Sequence, residues 1–171
     1  RLVLLASDRE GYGNLSQLIT RGRRAAAKGR YRLARADLDD GVPGCLALLL
    51  PDAGEEPAGW LAERFPGRAW LAVELHCGAD DRAQLAGRLA LAQAAGLPAV
   101  ACGDVHMHVR GRRALQDTLT AIRLKTAVAA AGYALFPNGE RHLRPLGALG
   151  RLYPPALLIE SVNIADRCRF S

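Results

Sequence analysis

Lysine is nearly absent from this chain: two of its 23 basic residues are lysine and the rest are arginine. Ala, Leu and Gly are abundant as well, a bias that GC-rich coding produces, so the arginine excess does not by itself signal a polyanionic partner. A net charge of +6 permits one without demanding it. Cysteine is sparse. Cys45, Cys77, Cys102 and Cys168 lie far apart with no C-x-x-C pair, which excludes a cysteine zinc module and a disulfide scaffold. A reducing, cytoplasmic compartment is the expectation. No apolar run approaches the ~20 residues that span a bilayer. The run "CLALLLP" is short and closed by Pro51, and "RLVLLAS" runs into charge rather than a secretory cleavage site. No G-x-x-x-x-G-K-[ST] loop exists, so a P-loop nucleotide site is unsupported. Repeats and low-complexity tracts are lacking too.

What remains is 171 residues, half of them hydrophobic, enough for one ordinary domain with its own core. The chain opens on Arg1 rather than Met and closes on "RCRFS", which suggests a piece of a longer protein.

Four short apolar runs read as buried strands: "RLVLLAS", "CLALLLP", "AWLAVELHCG" and "PAVAC". Helical patterns separate them. In "DREGYGNLSQLITRGRRAAA", Leu15, Leu18 and Ile19 share a face and Asn14 is a possible N-cap. Asp37 is placed to cap a short helix, and another surrounds Trp60 to Phe65. In "DDRAQLAGRLALAQAAGL", Leu85, Leu89 and Ala92 form a stripe, Asp80 and Asp81 favour the start and Gly96 the stop. "RRALQDTLTAIRLKTAV" is a further helix, and a last one begins after Pro154 and Pro155. Continuous apolar strands alternating with helices predict an α/β fold with a parallel sheet covered on both faces. Active sites of such folds lie at the carboxyl ends of the strands.

The polar residues of interest fall there. His76 follows the third strand, and Asp104 and His106 follow the fourth, in "GDVHMH". If 102–108 stays extended, Cys102, Asp104, His106 and His108 share one face, as do Glu74 and His76. Carboxylate and imidazole are ligands for zinc, manganese or iron. They are equally common in polar turns that cap a following helix, and the residues alone leave both readings open. Cys102 reads as a small core residue, and His142 as a surface or capping residue.

A second feature is "RGRRAAAKGRYRLAR", with seven basic residues from Arg21 to Arg35 and Tyr31 among them. Arg21, Arg23, Arg24, Lys28 and Arg30 are the candidate phosphate contacts. The alternative is a solvated helix end and loop.

Three segments, "RLVLLASDREGYGNLSQLITRGRRAAAKGRYRL", "VACGDVHMHVRGRRALQDTLTAIRL" and "LFPNGERHLRP", resemble the PHP (polymerase and histidinol phosphatase) domain of C-family bacterial DNA polymerases. The second resembles in particular the error-prone, DnaE-like alpha subunit. The resemblance implies a distorted (β/α) barrel of the PHP type, present here as an incomplete fragment. Residues 1–171 would be the C-terminal portion of that domain, without the upstream H-x-H segment or the downstream polymerase palm. By motif match, Asp104 and His106 supply the D-x-H metal ligands and His76 a further histidine. The implied metals are zinc or manganese in the PHP site, and magnesium for nucleotidyl transfer in the palm. The implied partners are template-primer DNA, deoxynucleoside triphosphates, accessory mutagenesis proteins and a sliding clamp, with no membrane. The implied function is error-prone, translesion DNA synthesis in damage-induced mutagenesis, with this domain as structural support or as a metal-dependent phosphoesterase; this chain alone would be inactive. The alternative is a stand-alone PHP-type phosphoesterase acting on a small phosphate ester. One departure stands out: where the family has a Ser-Gly-Cys, this chain reads Leu-Leu-Pro at 49–51, so a full metal cluster is not expected.

Overall fold

The computed structural model describes residues 1–52 and 54–169. Four strands, β1 (Leu2–Ala6), β2 (Cys45–Leu49), β3 (Ala69–Glu74) and β4 (Ala99–Cys102), form one sheet in the order β1-β2-β3-β4. β2, β3 and β4 run parallel, whereas β1 pairs antiparallel with β2, Leu2 opposite Leu49 and Ala6 opposite Cys45. The sheet is therefore mixed and open at β1 and β4. The all-parallel expectation fails at β1, because an apolar run encodes burial and not direction. No closed barrel forms among the described residues.

Among the described residues, six α-helices accompany the sheet: α1 (Arg9–Arg24), α2 (Glu55–Arg64), α3 (Asp81–Ala95), α4 (Arg113–Leu124), α5 (Leu146–Leu152) and α6 (Pro155–Arg167). The period-two alternation of the central strands divides the core. Cys45, Ala47, Leu49, Ala69 and Leu71 face Leu18 of α1, Ala58 and Leu61 of α2, Phe65 and Ala92 of α3. Leu46, Leu48, Trp70 and Val100 face the other way, against Ile164 of α6. Burial on both faces explains why β2, and β3 as far as Val73, are unbroken apolar runs.

Several local signals act differently from the sequence expectation. The N-cap of α1 is Asp8, whose Oδ1 accepts from Gly11 N at 2.8 Å. Asn14 lies inside the helix and donates instead to the Pro43 carbonyl at 2.9 Å. Asp37 is inside its short 3₁₀ turn and reaches back to the Ala34 N–H at 2.8 Å. Gly96 does stop α3, in the left-handed conformation with φ 64°. α5 is an element that the sequence pattern does not announce. Pro155 opens α6 at its first position, where a missing N–H costs nothing. Among the described residues, no helix is long and apolar enough to cross a membrane.

Candidate functional site

The parallel register, Glu74 opposite Cys102, brings the carboxyl ends of β3 and β4 to one edge. Tyr153 fastens them together. Its hydroxyl accepts from Leu75 N at 3.0 Å and donates to the Cys102 carbonyl at 2.7 Å. Beyond β3 the chain places His76, half-buried, with Nε2 3.1 Å from the Gly103 carbonyl. Burial pushes the His76 imidazole below its ordinary pKa, against the upward pull of that carbonyl. In the neutral ring Nε2 carries the proton it donates to Gly103, which leaves Nδ1 as the free lone pair.

Beyond β4 the backbone turns at Asp104, which holds the left-handed φ of 41°. Asp is among the few non-glycine residues that tolerate this region. The turn sets Asp104 Oδ1 3.2 Å from His106 Nε2. It also breaks the extended run on which a single face for Cys102, Asp104, His106 and His108 depended. Cys102 packs against the Leu46–Trp70 cluster, and burial pushes its thiol up to about 11. His108 is exposed and faces Arg112, Leu115 and Leu119 with His106.

A segment that carries no site expectation in the sequence completes the cluster. The Arg141 carbonyl accepts from His106 N at 2.9 Å and Met107 N at 3.0 Å, which fixes "NGERH" alongside "DVHMH". The Arg141 guanidinium then contacts Asp104 Oδ2 and lies 3.9 Å from Glu74 Oε2. It stacks over Phe136 at 4.6 Å, and His106 packs on the same ring at 4.8 Å. Desolvation raises the pKa of Glu74, a buried carboxyl, and Arg141 pulls it back down. Glu140, also buried, contacts Arg110 and sits 3.6 Å from Arg144. His142 is half-buried, with Nδ1 2.9 Å from the Gly139 carbonyl. The signal available in the sequence was the charge density of "NGERHLRP", but which of its cations turns inward is a tertiary matter.

A zinc or manganese ion does not fit this donor set. Both oxygens of Asp104 are engaged, one by His106 and one by Arg141. Among the described residues, no group of three or more His, Cys, Asp or Glu is gathered for a metal ion. His76 and the Asp104–His106 pair are brought to one strand edge without converging on a common point.

The basic candidates form a separate feature. Arg21, Arg23 and Arg24 occupy the last turn of α1, where cations favour the helix dipole, and Lys28 and Arg30 lie in the loop that follows. All five are exposed. Arg21 approaches Asp37 at 3.7 Å and Arg23 lies over Tyr31 at 5.6 Å. The loop folds back through Arg32 N donating to the Gly22 carbonyl at 3.0 Å.

No family model matches the chain. Individual relatives do. Over 171 residues, 99% of the chain, it is 64% identical to the error-prone DNA polymerase of Pseudomonas aeruginosa. It is 58% identical to that of Methylococcus capsulatus over its whole length, and 56% identical to that of Dechloromonas aromatica over 99%. The chain is homologous to a segment of bacterial error-prone DNA polymerases. It spans 17% of the length of these relatives.

Proposed function

We propose that this chain serves as the PHP domain of an error-prone, DNA-directed DNA polymerase, in a structural role. The observation that carries the polymerase part is identity above one half, over essentially the whole chain, to proteins named error-prone DNA polymerase. The PHP part rests on the resemblance of "VACGDVHMHVRGRRALQDTLTAIRL", and on the placement of His76, Asp104 and His106 at one sheet edge. On this reading, magnesium-dependent nucleotidyl transfer, template-primer DNA, deoxynucleoside triphosphates and any clamp or mutagenesis partner belong to the larger enzyme. The exposed segment Arg21, Arg23, Arg24, Lys28 and Arg30 is the surface offered to DNA phosphates. A stand-alone, metal-dependent phosphoesterase using Asp104, His106 and His76 is the second reading. The Asp104–His106 contact favours it and the position of Arg141 disfavours it.

The test begins with the native polypeptide purified from its source cells. We expect a band several-fold larger than 18.3 kDa that extends a primer across a damaged template. In that enzyme, neutralising the five basic residues weakens DNA binding. It also lowers the slope of log affinity against log salt by about 0.9 for each phosphate that is no longer neutralised. A native band at the chain's own size removes the polymerase reading. An unchanged salt slope removes the basic surface alone.

A further inference from the structure

We infer that the carboxylates at the ends of β3 and β4 form a cation site whose resident cation is the Arg141 guanidinium, and that removing Arg141 opens this site to a divalent metal. Glu74 ends β3 and Asp104 lies in the turn just beyond the neighbouring parallel strand β4, and Arg141 lies between them, in contact with Asp104 and 3.9 Å from Glu74. Both carboxylates are shielded, with side chains 9% and 30% exposed, and the Arg141 side chain is 21% exposed. Two anions brought this close out of water need a positive charge among them. In metal sites an ion supplies it. Here a side chain of the same polypeptide does.

The placement of Arg141 is built rather than incidental. Its carbonyl accepts the backbone N–H groups of His106 and Met107, and its guanidinium rests on Phe136, which His106 also covers. The charge balance around it is closed as well. Glu74 and Asp104 face Arg141, and Glu140 faces Arg110 and Arg144. No excess of negative charge is left to draw a divalent cation in. With Arg141 truncated, Glu74, Asp104 and the His106 ring would face the vacated space. Carboxylate and imidazole together suit zinc or manganese.

The experiment uses the intact polypeptide that contains this chain, dialysed against zinc or manganese and then against buffer. Metal content is read by emission spectrometry and affinity by calorimetry with the metal ion alone. We expect well under one zinc per polypeptide at Asp104 in the unmodified protein, shown by no loss of metal in Asp104→Asn. Arg141→Ala is expected to gain one bound ion, at least roughly tenfold tighter than before, and Asp104→Asn in the same background to lose it again. Arg141→Lys keeps a cation in place and stays metal-poor. Should Arg141→Ala fail to fold, Arg141→Gln, which retains length without charge, carries the same expectation. Stoichiometric metal that the unmodified protein loses on Asp104→Asn would overturn the inference. So would a folded Arg141→Ala or Arg141→Gln that gains none. Neither result bears on the polymerase reading, which the primer-extension test decides.

Discussion

Replacing Gly11 by alanine is expected to destabilise the protein by about 3 kcal/mol or more, at the upper end of what overpacking costs. Gly11 sits in the first turn of α1, against the turn that feeds β2. A Cβ built there would lie 1.9 Å from the Gly44 carbonyl oxygen and 2.5 Å from its carbon. Neither atom can move freely. That oxygen accepts from Ser7 N and from Ser7 Oγ, both at 2.8 Å, and Gly44 itself holds a φ of 70° that a side chain resists. The strain therefore falls on the backbone that joins β1, α1 and β2. Gly13, two residues further along the helix, meets nothing within 4 Å, and Gly13→Ala is expected to stabilise by about 0.5–1 kcal/mol through helix propensity. Two identical substitutions in one helix thus carry opposite signs. Thermal denaturation of the pair reads the difference, which at this chain length is about 10 °C between the variants. Equal melting temperatures would show that the Gly11–Gly44 approach is not a packing constraint.

The contrast between those two glycines marks where the sequence is readable. Among the described residues, periodicity locates every strand and five of the six α-helices, because apolar runs and 3.6-residue patterns mark which segments pack against a core, though not which side chain of a helix is buried. It does not locate the Gly11–Gly44 contact, which joins residues 33 positions apart and leaves no local pattern. It also misses the direction of β1, since antiparallel and parallel strands bury the same run of Leu and Val. Residue type marks candidate caps, and type alone does not separate Asp8 from Asn14. The site divides in the same way. His76, Asp104 and His106 are legible as polar residues after strands. Arg141 is not, because its meaning comes from Asp104, 37 residues earlier, and from Glu74 on another strand.

Arg88→Met is expected to cost about 3 kcal/mol, the range for hydrogen bonds from a buried charge that are removed together. The sequence stripe of α3 points to Leu89 as a core residue, yet Leu89 is 37% exposed and Arg88 is 7% exposed. The guanidinium explains the exchange. Its Nε donates to the Ala72 carbonyl at 3.2 Å, and one terminal nitrogen to the carbonyls of Leu49 at 3.1 Å and Leu50 at 3.3 Å. The other terminal nitrogen reaches Pro51 at 3.5 Å. Arg88 thus ties α3 to carbonyls of β3 and of the exit from β2, near the edge that carries the candidate site. Methionine preserves the packing of the stem and removes the donors, so the carbonyls lose partners while the apolar contacts stay. Burial lowers the pKa of Arg88, and the neighbouring Glu74 raises it, so the same substitution also strips a compensating charge from Glu74. Arg88→Lys is expected to recover only part of the loss, because an ammonium is a single point and cannot span these carbonyls. A melting temperature for Arg88→Met within error of the unmodified protein would mean that water replaces the guanidinium at no cost, and that the helix-to-strand clamp does not hold this edge. A drop of about 10 °C, with partial recovery by lysine, would show that the clamp holds α3 to this edge of the sheet.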